Sequence, residues 1–232
     1  MYQSENYSTQ YQIDTRLALN AYLVKVFGTM FAGLAITAIV AFYFAASNLV
    51  YTLGNAVFVI MIAQLVLVLA LTASINKLSY RVALGLFMLY SLLNGITMAF
   101  IFVVYDIGTI GTAFTVTALT FGIMAVYGSL TKSDLTAFGS LARMLLIGGL
   151  IVMLINMFMG SPAIDYFISV VLLFVFVGLV AYDTQKLKGF FYATQNDIPT
   201  QQKVGVIGAL SLYLDFINIF LRLLRIFGRS KR

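Results

Sequence analysis

The chain has 232 residues and a formal net charge of +6, and 62% of its residues are hydrophobic while only 9% are charged. Soluble domains carry roughly 25% charged residues, so this composition predicts an integral membrane protein that lies in a lipid bilayer. The absence of cysteine and histidine excludes a disulfide framework, a thiolate metal site and a histidine-based pH switch. The basic residues lie between apolar runs rather than in one patch, which argues against nucleic acid as a partner.

The first 16 residues, MYQSENYSTQYQIDTR, contain no apolar core and precede a long apolar run. A cleavable signal peptide needs such a core. We therefore expect a short polar N-terminal tail at 1–16.

Seven apolar runs follow, and each is long enough to cross a hydrocarbon core of about 30 Å. In lipid, every backbone polar group must be satisfied within a helix or a closed barrel, and the ten-residue alternation of barrel strands is absent. We predict an all-α membrane protein, a seven-transmembrane-helix bundle within 17–228, followed by a basic C-terminal tail at 229–232. The predicted helices cover 23–46, 51–75, 82–104, 109–130, 141–160, 164–183 and 204–221.

The connections predict how this bundle is oriented. Lysine and arginine follow the second, fourth and sixth runs, whereas the connections around 47–50, 105–108 and 161–163 contain neither. Because basic loops stay in the cytoplasm, we expect the N-terminus and the even-numbered loops there. If the seventh run crosses completely, the basic segment RLLRIFGRSKR lies on the other side, so the side of the C-terminus stays open. Among the connections, 184–203 is the only one with room for structure of its own.

The seventh run places an aspartate in the middle of an apolar helix, in the stretch LYLDFINIFLRLLR at 212–225. A central carboxylate that faced lipid would cost roughly 2.5 to 3.5 kcal/mol, so its side of the helix should face the bundle interior or water. The seventh helix is therefore predicted to be central. Five residues of this helix fall within about 80° of one another and form a polar stripe: Gly208, Ser211, Asp215, Asn218 and Arg222.

A second carboxylate, Asp183, ends the sixth run, or lies inside that helix if the helix continues into 184–192. If the sixth helix continues and the seventh begins earlier than 204, Asp183 and Asp215 can meet. Simpler interpretations stay open, with Asp183 as a helix cap or interfacial residue and Asp215 as an ion-pair partner of Arg222.

Three further aspartates lie in connections. Asp134 is expected to cap a helix in a cytoplasmic loop. Asp106 and Asp165 lie at outer connections, where they are either simply solvated or attract cations to the mouth of a pathway.

Three stretches together resemble the Bax-inhibitor family of membrane proteins, on its bacterial side. They are YGSLTKSDLTAFGS after the fourth run, GLVAYDTQKL at the end of the sixth and ALSLYLDFINIFLRLLRIFG in the seventh. Their order and spacing match that family, and the likeness covers about 17–228.

The resemblance implies a bundle in which two layers of three helices surround a central C-terminal helix. It also implies pH-dependent calcium leak across a membrane, suppression of cell death by eukaryotic members, and a link between some bacterial members and a membrane protease. The family's pH-sensing aspartate pair corresponds to Asp183 and Asp215. A bacterial relative has an arginine in its second helix that latches onto this pair, but the only large polar side chain of the second run here is Gln64. The latch is therefore missing, or Arg222 or Arg143 replaces it.

The expected function follows from the chemistry of such a pair. Two carboxylates a few ångströms apart in a low dielectric cannot both ionise easily, so they share one proton and titrate as a coupled pair. The shared proton would close the cytoplasmic end, and its loss would favour separation of the two helices. Because calcium prefers oxygen ligands, we predict a gated calcium leak in a bacterial cytoplasmic membrane, with Ser211 and Asn218 as candidate pathway partners. The expected partners are the lipid bilayer, calcium ions and protons, with calcium as the permeant ion, and neither a tightly bound metal nor a cofactor is expected.

Rival functions come from other classes. A retinal-type pump needs a lysine in the middle of the last helix, which is absent. A proton-coupled transporter of a small solute would use a carboxylate pair equally well, although no internal repeat supports an inverted-repeat fold. A non-conducting regulator of a membrane protease or of a cell-death pathway needs no pore. No HExxH motif, nucleophile elbow or histidine supports an enzyme.

Overall fold

The computed structural model describes the backbone of 2–228 and the side chains from residue 13 to 228. Within this part of the chain there are seven α-helices and no strand, which confirms the predicted all-α class. All seven are long and apolar enough to cross a membrane. The helices are α1 Tyr2–Ala46, α2 Ala56–Ser74, α3 Tyr80–Val104, α4 Ile107–Leu130, α5 Thr136–Met159, α6 Pro162–Thr194 and α7 Ile198–Phe227, with a short 3₁₀ turn at Leu49–Thr52 before α2.

Four helices begin at a polar residue whose side chain accepts a hydrogen bond from the backbone N–H three residues later. These N-caps are Ser79 of α3, Asp106 of α4, Ser161 of α6 and Asp197 of α7. Each cap satisfies one of the N–H groups that lack a partner within the helix. The caps lie three to seven residues before the apolar runs that were predicted as helices, because sequence hydropathy detects the apolar span and not the capped turn.

The largest correction concerns the connection 184–203, which we predicted as a loop with room for structure of its own. It is almost entirely helix, since α6 continues to Thr194 and α7 already begins at Ile198. The polar residues of this stretch do not end the helix because every third or fourth position is buried: Thr184, Leu187 and Phe191. Asp183 therefore lies inside α6, as the alternative interpretation required.

Three other boundaries also differ from the prediction. The polar stretch at 1–16 does not form a separate segment, because α1 is continuous from Tyr2. The second helix begins at Ala56 rather than at 51, since Gly54 has a φ of +46° and interrupts the chain after the 3₁₀ turn. Helix α5 begins at Thr136 rather than at 141. The predicted basic tail at 229–232 lies outside the described residues.

Helix α7 occupies the centre of the bundle, as predicted. It packs against α1, α3, α4 and α6, while α2 packs on α3 and α5 packs on α6. The helices thus form one layer of α1–α3 and another of α4–α6, with α7 between them. Burial supports this order: 67% of the most apolar window of α7 is buried inside the protein, compared with 6% of that of α2.

The seventh helix crosses the whole bundle, which settles how far run seven extends. We call the end that holds the α2–α3, α4–α5 and α6–α7 connections the basic end, and the opposite end the far end. At the far end, Arg225 forms an ion pair of 2.6 Å with Asp165 in the first turn of α6. Gly228 packs against Tyr105, which directly follows α3. The described C-terminal part of the chain therefore lies at the end opposite to the α6–α7 connection.

Small residues allow the helices of each layer to approach closely, as is usual in membranes. A methyl group on Gly128 of α4 would collide with the backbone of Ala181 in α6, and one on Gly95 of α3 would lie 2.8 Å from the carbonyl oxygen of Thr37 in α1. The close approach at Gly128 fixes the part of α6 that carries Asp183.

Candidate functional site

Asp183 and Asp215 are carried by two neighbouring helices that run in opposite directions. Asp183 lies eleven residues before the end of α6, about 16 Å from the basic end at 1.5 Å per residue. Asp215 lies 17 residues into α7, about 26 Å from the same end. Side chains tilt towards the N-terminus of their own helix, so the two carboxylates lean towards each other.

The Asp215 carboxylate is almost fully enclosed and incompletely satisfied. Its side chain is 4% exposed, and its Oδ2 atom has no hydrogen-bond partner. The only ionisable group whose charge acts on it, among the described residues, is Asp183. The structure thus brings the two predicted site residues within electrostatic range, without a hydrogen bond between them. An ionised carboxylate at this position lacks a donor for its second oxygen, and such a buried charge is unfavourable by several kcal/mol unless something rearranges.

Asp183 is partly buried and has a different charge environment. Besides Asp215, it interacts with the charges of Lys186 on its own helix and Arg143 on α5. Neither cation forms an ion pair with it within 4 Å, since the described residues contain a single salt bridge elsewhere. The pair is therefore asymmetric: one carboxylate has cations nearby, and the other has only its acidic neighbour.

Of the two arginines that we considered as a replacement latch, only Arg143 is near the pair. Its charge acts on Asp183, and its guanidinium also donates a hydrogen bond of 3.2 Å to Ser140. Arg222 instead lies towards the far end, where both of its terminal nitrogens are 3.6 Å from the sulfur of Met153. Gln64 does not reach the pair either, because its amide donates to Thr97 of α3.

An apolar layer separates the pair from the basic end. Gly208 lies two turns before Asp215 on α7, and the space where a side chain would stand is filled by Leu187 of α6. Val26 of α1 lies 3.6 Å from the same point. Leu187 and Val26 are 1% and 3% exposed. The role of Gly208 in the predicted polar stripe is therefore to admit an apolar side chain.

The rest of the stripe lies on the least buried side of α7. Ser211, Asn218 and Arg222 are only partly buried, in contrast to Asp215. The Asn218 amide donates a hydrogen bond of 2.8 Å to the Leu214 carbonyl of its own helix. The stripe therefore offers Ser211 one turn before Asp215, towards the basic end, and Asn218 and Arg222 beyond Asp215, towards the far end.

The aspartates in the connections have structural partners. Thr109 donates to Asp106 from its hydroxyl and its backbone, and these hydrogen bonds hold the pKa of Asp106 below its usual value. Hydrogen bonds from Thr136 likewise lower the pKa of Asp134 at the start of α5. Asp165 pairs with Arg225. Asp106 therefore acts as a helix cap and Asp165 as an ion-pair partner, whether or not they also attract cations.

The sequence analysis missed Tyr213, which lies two residues before Asp215. Its hydroxyl is 2.6 Å from the Thr37 hydroxyl of α1 and accepts a hydrogen bond of 2.7 Å from the Asn94 amide of α3. Thr37 also bonds the Ser91 carbonyl at 2.8 Å. We call Thr37, Ser91, Asn94 and Tyr213 the tyrosine network. Tyr213 could have been recognised because it lies in mid-helix, unlike the tyrosines near the ends of the runs, and a buried tyrosine hydroxyl requires a partner.

No group of three or more acidic, histidine or cysteine side chains within the described residues is arranged to hold a metal ion. The acidic feature inside the membrane is thus a pair and not a ligand cage.

Comparisons with known proteins agree with the fold and the motifs. The family model "Inhibitor of apoptosis-promoting Bax1" matches residues 19–232. The inner membrane protein YbhL of Escherichia coli K12 is 46% identical over 224 residues, which cover 94% of this chain and 96% of that protein. A protein of Borreliella burgdorferi is 38% identical over 219 residues, covering 93% and 94% of the two chains. A membrane protein of Streptococcus pyogenes serotype M1 is 36% identical over 220 residues, covering 92% and 95%.

Proposed function

The chain belongs to the Bax-inhibitor family of membrane proteins, and from this premise we propose that it is a pH-sensitive calcium leak channel gated by Asp183 and Asp215. The observation that carries the proposal is the state of Asp215, a buried carboxylate whose second oxygen has no partner and whose charged neighbour is another carboxylate. A protein that used this residue only for stability would provide it with a donor.

The proposed gate works by electrostatic repulsion across the α6–α7 contact. With one proton on the pair, a single negative charge remains, and it is placed best on Asp183 because Lys186 and Arg143 lie near that residue. When the last proton leaves, both carboxylates are negative in a site of low dielectric, where repulsion is strong. The repulsion is relieved if α6 moves away from α7 or if water enters.

The apolar layer is the barrier that this movement would open. Leu187 of α6 packs into the space above Gly208 of α7, so any separation of the two helices withdraws the leucine from the glycine. Water that enters there reaches the pair from the basic end. Conduction is therefore expected to rise with pH, because deprotonation drives the separation.

Calcium fits the proposed path because its preferred ligands are oxygen atoms. A calcium ion that passed the apolar layer would meet Ser211 and the two carboxylates, and then Asn218 further along the polar stripe. The carboxylates would bind it transiently and, once deprotonated, would also be screened by it. Calcium is the permeating ion in this proposal and is not a resident cofactor.

We place the protein in a bacterial cytoplasmic membrane, because its Escherichia coli relative is an inner membrane protein. The distribution of lysine and arginine then places the N-terminus and the basic end in the cytoplasm. The apolar layer would accordingly close the cytoplasmic side, and Asp165 and Arg225 would lie at the outer side.

The test is calcium flux into liposomes that contain the purified protein, measured between about pH 5 and 8. The wild type should leak increasingly as the pH rises, and both Asp183→Asn and Asp215→Asn should flatten this profile. Asp134→Asn is the matched control, since it removes an exposed carboxylate in the α4–α5 connection and should keep the profile. An unchanged pH profile in Asp215→Asn would refute the proposed gate.

The same experiment separates the rival functions. A proton-coupled transporter predicts saturable, gradient-dependent uptake of a small solute without calcium leak. A non-conducting regulator predicts no flux at any pH, together with co-purification of a membrane protease.

A further inference from the structure

A second feature of the bundle, a cavity at the basic end, adjoins the apolar layer, with which it shares Val26, but does not include the aspartate pair. The cavity of about 540 Å³ lies between α1, the start of α3 and the α6–α7 connection. Its walls are formed by one face of α1, by Tyr80 and Phe191, and by the carboxamides of four residues: Gln195, Asn196, Gln201 and Gln202. The apolar Val26 and Val206 line its inner part.

Tyr22 lines this cavity with a hydroxyl that lacks a partner. Its ring packs against Phe191 at 5.7 Å between centroids, and only 8% of the residue is exposed. Its hydroxyl is buried and has no hydrogen-bond partner. A buried hydroxyl without a partner is energetically unfavourable, and here it belongs to a residue that lines a cavity large enough to hold a hydrogen-bonding partner.

The charges of the cavity restrict what the ligand can be. Lys25 lies one turn beyond Tyr22 on α1, with its ammonium 5.2 Å from the centre of the Tyr80 ring. Asp14 lines the same cavity three turns nearer to the N-terminus, about 16 Å from Lys25 along the helix. A simple anion would meet a carboxylate here, and a simple cation would meet a lysine. A ligand that carries both charges suits the two groups.

The order of these groups along α1 matches a phospholipid that stands with its headgroup at the membrane surface. Along α1, Thr29 and the apolar Val26 line the inner part, Lys25 and Tyr22 follow, and Asp14 lies nearest to the N-terminus, while Val206 and the carboxamides line the cavity from α7 and the α6–α7 connection. In a zwitterionic phospholipid, the acyl chains are deepest, the phosphate comes next, and the ammonium is outermost. With such a lipid in the cavity, Lys25, Tyr22 and the carboxamides would donate to phosphate and ester oxygens, and the Asp14 carboxylate would attract the ammonium.

We propose that this cavity binds the aminoalkyl-phosphate headgroup of a zwitterionic phospholipid, with Tyr22 and Lys25 on the phosphate. Tyr22 donates to a phosphate oxygen in the bound state, which satisfies the hydroxyl. The lipid joins α1 to the α6–α7 connection at the basic end. This site is separate from the aspartate pair, and its binding is measured without reference to ion flux.

The experiment compares lipid binding by the delipidated full-length protein in detergent. Phosphatidylethanolamine, phosphatidylglycerol and free phosphoethanolamine are titrated separately, and occupancy is read by native mass spectrometry and by the shift in unfolding temperature. We expect saturable binding of phosphatidylethanolamine, and weaker binding of phosphatidylglycerol, which has no ammonium for Asp14. If free phosphoethanolamine saturates the site and the lipid does not bind, the ligand is a soluble phosphate ester of the same chemistry. This result would refute the proposal that the ligand is a phospholipid.

The variants test the contacts themselves. Tyr22→Phe removes one hydroxyl without changing the ring, and Lys25→Gln removes the cation; each should weaken phosphatidylethanolamine binding about five- to tenfold or more, the effect of one lost hydrogen bond. Tyr192→Phe on the exposed side of α6 is the matched control and should bind as the wild type does. If Tyr22→Phe shifts the unfolding temperature by the same amount with and without lipid, the Tyr22 hydroxyl does not contribute to lipid binding. The hydroxyl then bonds only water, and the proposal fails. Equal affinity of the wild type and Lys25→Gln would also refute it.

Discussion

Two polar side chains on α7, only two residues apart, have opposite surroundings. The Tyr213 hydroxyl faces the first layer and has partners on α1 and α3. The Asp215 carboxylate is oriented towards α6, and one of its oxygens has no partner. A satisfied buried network fixes one arrangement of the helices, whereas an unsatisfied group remains sensitive to any change that supplies a proton, a cation or water. The comparison indicates that the Tyr213 side of α7 is fixed by hydrogen bonds. The Asp215 side, which we call the responsive side, is sensitive to protonation, cations and water.

The largest effect is expected from Gly128→Ala, which changes the contact of α4 with the segment of α6 that carries Asp183. The added methyl group would collide with the backbone of Ala181, which cannot rotate away as a side chain can. Overpacking of this kind destabilises by about 1–3 kcal/mol or more, and it should shift the segment of α6 that carries Asp183. Unfolding in detergent and the pH profile of flux should both change.

Gly122→Ala on the same helix is the control, because nothing lies within 4 Å of its added methyl group. It should keep the flux profile and leave stability unchanged or raise it by about 0.5–1 kcal/mol through helix propensity. Equal behaviour of the two glycine variants would contradict the close α4–α6 contact.

The next effect is expected from Tyr213→Phe, which disrupts the fixed side. The change leaves the Thr37 hydroxyl and the Asn94 amide without one of their partners. We expect a loss of about 1–2 kcal/mol in the free energy of unfolding, in the upper range for hydrogen bonds inside membranes. Tyr166→Phe is the control, because Tyr166 is 56% exposed. If Tyr213→Phe unfolded as the wild type does, the tyrosine network would not fix α7.

The predictability of the fold differs between these two sides. The polar stripe of α7 was visible from the sequence because its members are close along one helix, and it correctly predicted a central helix. The tyrosine network was not visible, since Thr37 and Asn94 lie 176 and 119 residues from Tyr213 along the chain. Hydropathy also gave the wrong helix end at 184–194, where the helix continues although Gln185, Lys186 and Lys188 make the stretch polar. The juxtaposition of Asp183 with Asp215 depended on this extension and could be stated from the sequence only as a possibility.

A smaller effect on stability is expected from Asp215→Leu, which tests directly whether Asp215 differs from Tyr213 in its contribution to the fold. Leucine has a similar size and removes a buried oxygen that has no partner, so the free energy of unfolding should stay unchanged or rise by about 1 kcal/mol. The pH dependence of flux should nevertheless be lost. A clear loss of stability would show that Asp215 supports the fold in the same way as Tyr213.

The smallest effects are expected from the aspartates that accept hydrogen bonds near helix starts outside the membrane. Hydrogen bonds hold the pKa values of Asp106, Asp134 and Asp197 below their usual values. A carboxyl whose pKa is lower in the folded state stabilises the fold at pH values above its unfolded-state pKa of about 3.9. This stabilisation disappears as the pH falls through the folded-state pKa. Thermal unfolding of the three asparagine variants should therefore differ from the wild type above about pH 4 and converge with it in stronger acid. A difference that persisted in strong acid would contradict this assignment.

The central claim, that Asp215 and Asp183 hold a titrating proton between them, is tested most directly by infrared difference spectroscopy of the membrane-reconstituted protein between about pH 5 and 8. The account predicts a carboxylic acid band in the wild type that disappears as the pH rises, that is absent in Asp215→Asn, and that titrates at a different pH in Asp183→Asn because the two groups are coupled. A wild-type spectrum without such a band, or a band that is the same in both variants, would contradict it.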